Sequence, residues 1–443
     1  MSDEGTKNEN QGTGIGADED GYSDDEQPKF SMEGFQLNTD AATQDPVIDE
    51  EAFTRVRSMT LKKSTIDIKV HNPVEVKGGA FSSNYYTYEV VGRDKNGKIE
   101  ARRRFKEFEA VYKKLKQNYP GIFIPSIPDK TIKNKGDDVI AERLLFLDYF
   151  LKKCSKVDHI FYSDELQLFL HSTGSSDDVI KGINNLPQKS CATIFALYSS
   201  LFPEFDKPVN KEKEDEINKK ISALKEPLQE VIQMRELLKR MRQLRPDMKK
   251  FKADFFRRTV KESIPYLETE ERSKVKDLVA SYNENEKADD LAILLTNLKM
   301  LRRDLESFLL ITSDFSFVLG AIGGSNGIVQ ECTKEIASLK ASDKDMISDG
   351  LFKKVKKDDK IRDLEKSKEI ALNEYENAVK LKAFMFNMLD RQEIPLIIFV
   401  KNYGLAQGIN ELSKRRIESL RKEEEILDVI TAPYIAAAAA VEA

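Results

Sequence analysis

The feature that most limits what this chain can fold into is a stretch from about 210 to 431 in which apolar residues return on roughly a seven-residue period. A first set runs from Ile217, Ile221 and Leu224 to Met248, Phe251 and Phe255. A second runs from Leu291, Leu294 and Leu298 to Phe315 and Leu319, and a third from Ile361 and Leu364 to Phe386, with Tyr403 and Leu412 beyond it. Steps of three and four residues put each set on one side of a helix, and so narrow a stripe is buried only against another long helix. The expectation is an elongated, coiled-coil-like bundle that dimerises. Ile264-Pro265 and the run from Gly320 to Gly327 are predicted to separate its helices, and Pro227, Pro246 and Pro395 to kink them.

From about Ser64 to His171 the pattern is mixed. Thr65 to Val70 alternates as a first strand ended by Asn72-Pro73, and Tyr85 to Val91 and Lys98 to Arg103 alternate as two more around a turn holding Asn96-Gly97, which predicts a three-stranded antiparallel meander. A helix from near Lys106 stops at Pro120-Gly121. Pro125 and Pro128 favour an extended loop, and Val139 to Lys153 reads as an amphipathic helix, followed by a shorter one from Asp164 to Leu170. Where the third strand meets the first helix stand Arg102, Arg103, Arg104 and Phe105. Arginine grips phosphate oxygens in bidentate fashion and an adjacent ring offers an apolar face, so this corner reads as a phosphate-binding one. A solvated basic edge strand is the plainer alternative.

Charge sharpens the choice of partner. Residues 1–52 carry fifteen Asp and Glu against two Lys, a local −13 within a chain of net −5, which leaves +8 on the rest. Between Arg235 and Arg258 ten Lys and Arg face three acids, and further clusters lie at Lys353 to Lys360 and Lys414 to Lys422. A basic body behind an acidic tail suits an anionic surface. The tail is too polar to fold alone, and Ser23 before Asp24-Asp25-Glu26 has an acid-directed kinase context, although an unmodified linker serine is the simpler reading. No apolar run approaches the roughly 18 to 20 residues of a membrane span. Met1-Ser2-Asp3-Glu4 lacks the cationic and apolar sections of a secretory signal. Three widely spaced cysteines predict reduced thiols rather than disulfides or a zinc site.

Four features in order, the Arg-Arg-Phe-x-Glu-Phe corner at 103–108, the Pro-x-x-Pro loop at 125–128, the lysine just after it, and Arg143 four residues before Leu147, make residues about 64–171 resemble a phox-homology (PX) domain, the phosphoinositide-binding module of sorting nexins. The resemblance implies that Arg104 holds the 3-phosphate of phosphatidylinositol 3-phosphate, that Phe105 stacks beneath the inositol ring, that Lys130 meets the 1-phosphate and that Arg143 bonds ring hydroxyls. Phe105 stands where the family more often has Tyr, and Ile132 is the one large apolar residue in the loop after Lys130, so a single module is expected to bind membranes weakly. Long helices after such a domain are similar in architecture, without a diagnostic motif, to the BAR domain of PX-BAR sorting nexins.

The expected fold is thus an α+β PX domain followed by an all-α, BAR-like bundle. Its divisions are an acidic tail (1–55), the lipid-binding domain (56–172), a linker with an amphipathic cluster from Ala192 to Phe202 (173–209), the dimerising helices (210–431) and an Ala-rich tail (432–443). The P-loop spacing from Gly92 to Lys98 has Ile99 in place of the metal-binding hydroxyl and a strand where a helix is needed, so a hairpin turn explains it better. The three histidines sit beside no nucleophile and in no metal spacing, so neither catalysis nor a cofactor is expected. Nucleic-acid binding is disfavoured because the aromatics of the basic helices fall on the apolar stripe. What the resemblance implies is a non-enzymatic protein, peripheral on the cytosolic face of endosomal membranes. It would pair with itself or another sorting nexin, with an endosomal coat complex as a further partner, and act in curvature and retrograde cargo sorting. The alternative is a lipid-targeted tether or autophagy scaffold that recruits proteins without remodelling membrane.

Overall fold

The computed structural model describes residues 51, 54–57, 66–77, 84–128, 137–263, 265, 267–286, 291–342, 345–348 and 354–442. Residues 1–50 of the acidic tail, with Ser23, and Lys130, Ile132 and their loop, lie outside the described residues. Strands β1 (Asp67–Val76), β2 (Tyr85–Asp94) and β3 (Gly97–Arg104) form an antiparallel sheet in the order β1-β2-β3. Alternation buries Ile68 and Val70, Tyr88 and Val90, and Ile99 on one face. β1 does not end at Asn72-Pro73. The register shifts between His71 and Val74 in a bulge with Asn72 at φ 49, and pairing resumes to Val76. The hairpin turns on Lys95 and Asn96, one residue earlier than the Asn-Gly pair suggests, because the Asn96 N–H donates to Asp94 Oδ1 (2.8 Å) and Gly97, at φ 125, already pairs with Asp94.

Helices α1 (Phe105–Asn118), α2 (Asp137–Cys154), α3 (Asp158–Phe161) and α4 (Asp164–His171) cover the sheet. The segment expected to be a linker holds two further helices, α5 (Ser176–Asn185) and α6 (Cys191–Leu201). Their N-caps Ser175 and Ser190 accept from Asp178 N–H and Thr193 N–H. α6 buries Ile194 and Tyr198 against α12 (Lys357–Met388), with Tyr198 tilted on Phe384 at 5.8 Å, so its apolar cluster is core.

The remaining helices are α7 (Lys211–Ala223), α8 (Lys225–Ser263), α9 (Thr269–Glu286), α10 (Leu291–Leu309), α11 (Ser316–Lys340), α12 and α13 (Ile394–Glu442), with a short hairpin of β4 (Met346–Ser348) and β5 (Lys354–Lys356) between α11 and α12. The glycine run does not break a helix. α11 passes through Gly320 to Gly327, held by its packing along α12, and the break falls earlier, at the 3-10 turn Ile311–Phe315. Pro227 sits in the first turn of α8, where its missing N–H costs nothing, while Pro246 lies inside it. Leu291–Lys340 contains a window long and apolar enough by composition for a membrane span, contrary to expectation. Here the stretch is divided between α10, the 3-10 turn and α11, and 28% of the apolar window is buried within the protein.

One hydrophobic cluster runs from Ile66, just before β1, through α1, α2, α6, α8 and α10 to Ile398 in α13. A second, of Leu267, Val275, Tyr282, Ile426 and Ile430, joins α9 to α13.

Candidate headgroup site

Strand alternation gives the three arginines three different fates. Arg103 points into the core, 4% exposed, where its Nε donates to Phe169 O (2.6 Å) and its Nη2 to Ser172 O (2.5 Å), closing the C-terminus of α4 onto β3. It also lies 3.6 Å from Glu107. Arg103 is therefore a structural residue and takes no part in a phosphate grip. Arg102 lies on the exposed face beside Glu89 at 3.5 Å. The Asn72 amide, before the nearby His71 and Arg102 charges, holds the Glu89 carboxyl below its usual value.

Arg104 ends β3 as the N-cap of α1, with extended backbone. Its N–H donates to Glu107 Oε2 (2.8 Å), an oxygen that also accepts from Ser176 Oγ (2.9 Å) of α5. Burial pushes the Glu107 carboxyl up, against these hydrogen bonds and the flanking guanidinium groups. Register sets what lies under the Arg104 side chain. Thr87 is opposite it, and Tyr85, two residues earlier on the same face, puts its ring 4.3 Å from the guanidinium carbon.

From α2, Arg143 reaches back over Phe105, its guanidinium carbon 4.8 Å from the ring centroid. Beneath it the Tyr88 hydroxyl is fully buried. Burial raises its pKa and the Arg143 charge and hydrogen bond oppose the rise. Arg104 and Phe105 are thus adjacent, and Arg143 joins them across 38 residues of sequence. Lys130 lies outside the described residues. Tyr85 and Tyr88 were not singled out from sequence. The alternation of Tyr85-Tyr86-Thr87-Tyr88 places them in a strand, but only the register against β3 shows which ring meets which cation.

Residues 92–173 match the PX domain family. The chain is 30% identical over 110 residues to vacuolar protein sorting-associated protein vps5 of Schizosaccharomyces pombe, covering 24% of this chain and 19% of that one. It is 30% identical over 129 residues to sorting nexin 2B of Arabidopsis thaliana, covering 26% and 23%. The matched segment therefore spans about a fifth of the relatives' own length. Among solved structures, the SNX-BAR Mvp1 tetramer is similar with a TM-score of 0.51 at 14% identity, over 81% of this chain and 99% of that one, a likeness of fold.

A PX unit recognised by sequence, continuous with a helical body of this fold, defines the class. The chain has the architecture of the PX-BAR sorting nexins.

Proposed function

We propose that this protein binds phosphatidylinositol 3-phosphate as a peripheral membrane protein, dimerises through its helical body, and senses or imposes curvature in endosomal sorting and retrograde transport. The observation that carries the reading is that Arg143 of α2 comes back over the ring of Phe105, the residue next to Arg104 at the β3–α1 corner, while Arg104 itself lies over Tyr85. Charge-assisted hydrogen bonds contribute about 1.5–3 kcal/mol each, so three cations on one headgroup reach roughly micromolar binding and one alone does not. Lys130, just beyond the Pro125–Pro128 loop, is the proposed third. Dimerisation is supported by the exposed apolar residues Met241, Leu244, Met248 and Phe251 of α8, and a role in sorting by the names of the relatives.

Sedimentation with phosphatidylcholine vesicles, with and without phosphatidylinositol 3-phosphate, tests the lipid reading. Recruitment that needs the lipid and is lost in Arg104→Ala is expected, and recruitment unchanged by that substitution removes the site. Electron microscopy of the same vesicles separates curvature generation, which gives tubules, from a tether or scaffold, which does not.

A further inference from the structure

Helix α10 belongs to the helical body yet lies along both halves of the candidate site. Towards α1, which carries Phe105 and is capped by Arg104, Ser307 Oγ is 3.5 Å from Tyr112 OH, and Asp314 in the following 3-10 turn is 3.2 Å from Lys116. Towards α2, which carries Arg143, Lys299 pairs with Glu142 and Asp304 accepts a short hydrogen bond from Tyr149. Asp304 is 1% exposed and also accepts from Ser126 Oγ (3.4 Å), two residues before Pro128 in the segment that leads to Lys130. The same segment is held from a second side. Glu393, 2% exposed in the π turn Leu389–Glu393 ahead of Pro395, accepts from the Phe123 N–H at 3.1 Å.

Ile122, Ile124 and Ser126 of this segment are buried. A cleft of ≈ 80 Å³ lies between Phe123 to Pro125, the end of α2 and Leu396 to Val400 of α13, with Asp304 in its wall. Two carboxyls without solvent are retained there because the Tyr149 and Ser126 hydroxyls, the Lys153 charge and the Phe123 N–H face them. Replacing them with apolar residues would leave those donors without acceptors beside the cleft.

We infer that Asp304 and Glu393 are positioning residues for phosphoinositide recognition: the helical body, through these two carboxyls, sets the placement of α2, which carries Arg143, and of residues 123–128 relative to Arg104 and Phe105. The ligand is the phosphorylated inositol headgroup, and the inference rests on the lipid reading above. It makes headgroup affinity a property of the whole chain rather than of residues 92–173 alone.

The test uses full-length protein and two vesicle types, phosphatidylcholine with phosphatidylinositol 3-phosphate and phosphatidylcholine with phosphatidylserine, alongside hydrogen exchange of residues 121–128. Asp304→Ala and Tyr149→Phe are expected to speed exchange in that segment. They should weaken binding to the phosphoinositide vesicles about tenfold, the equivalent of one buried hydrogen bond. Binding to phosphatidylserine through the basic helix faces should not change, and Asp304→Asn, which keeps an acceptor, should restore affinity. A general loss of fold would lower both kinds of binding, and Tyr149→Phe, which deletes one oxygen, guards against it. Faster exchange with unchanged phosphoinositide affinity in Tyr149→Phe, while Arg104→Ala still abolishes binding, overturns the inference and leaves the lipid reading standing. A wild-type protein indifferent to phosphatidylinositol 3-phosphate overturns both.

Discussion

At the scale of single residues, neighbouring arginines of one tripeptide have opposite uses, and their substitutions should fail in opposite ways. Arg103→Ala removes a buried cation that satisfies two carbonyls and faces Glu107, leaving Glu107 Oε1 with no facing cation at 2% exposure. Removing one partner of such a pair costs about 3–5 kcal/mol. A lowered urea midpoint is expected, with residual headgroup preference in whatever protein remains folded. Arg104→Ala removes a half-buried side chain whose side-chain neighbour is the Tyr85 ring, so its midpoint should stay within about 1 kcal/mol of wild type while vesicle binding is lost. Unequal midpoints in the reverse order would contradict both assignments. Arg104 and Phe105 were legible in sequence because the corner that holds them is local. The role of Arg103 was not, since its carbonyl partners Phe169 and Ser172 lie more than sixty residues on and are chosen by how α4 docks.

At the scale of elements, sequence patterns located most helices and strands and misjudged two punctuation marks. Asn72-Pro73 became a bulge because the strand resumed its pairing. The glycines of α11 cost up to about 1 kcal/mol each relative to alanine, yet the packing of α11 along α12 outweighs that propensity. Pro395, correctly read as a disturbance, follows a π turn rather than a simple kink, and that turn is what aims Glu393 at Phe123. Pro120-Gly121 stops α1 as read, through a tight turn in which Ile122 N–H donates to Tyr119 O (3.3 Å) and Gly121 takes φ 84. An added Cβ would also lie 3.1 Å from Met385, so Gly121→Ala combines backbone strain with a clash against α12. It should destabilise by about 1–3 kcal/mol in chemical denaturation.

Glu393 makes the same seam sensitive to pH. Burial raises its carboxyl from 4.5 to about 7, opposed by the Gln392 amide and the Phe123 N–H, and raises that of Asp304 to about 6, opposed by Tyr149, Lys153 and Ser126. Buried Tyr198 also feels Glu393. Because the folded state holds these protons more tightly than the unfolded chain, their contribution to stability is complete below about pH 4 and declines as pH rises to about 7. Protection at 121–128, the exchange rate divided into the intrinsic amide rate at each pH, should therefore be greater at about pH 5.5 than at about pH 8, and Glu393→Gln, which keeps a neutral acceptor, should flatten much of that difference. A wild-type profile in the opposite direction would mean that the carboxyls are stabilised as anions.

At the scale of the whole molecule, the periodic stripes were read correctly as surfaces for other helices, but sequence did not distinguish stripes filled within the chain from those left open. The stripe of α10 is filled: Leu294, Leu298, Leu305 and Phe308 are all buried. On α8 the N-terminal part, with Leu228, Val231 and Leu238, is buried, whereas Met241, Leu244, Met248 and Phe251 are 55–69% exposed while keeping the three- and four-residue step. An open seam of that spacing fits a second helical body. Leu244→Glu with Phe251→Glu places two charges on this seam without touching the buried part of α8 or the headgroup site. The variant should be monomeric by solution mass at concentrations where wild type is dimeric, with unchanged helicity. On vesicles carrying phosphatidylinositol 3-phosphate it should bind at least about a hundredfold more weakly, because one pocket per particle replaces two joined ones. Its affinity for the soluble headgroup should stay the same, since that quantity belongs to the single site. A variant that remains dimeric would assign the open seam to a different partner and move the self-association face elsewhere, and loss of soluble-headgroup affinity would couple α8 to the pocket through the core they share.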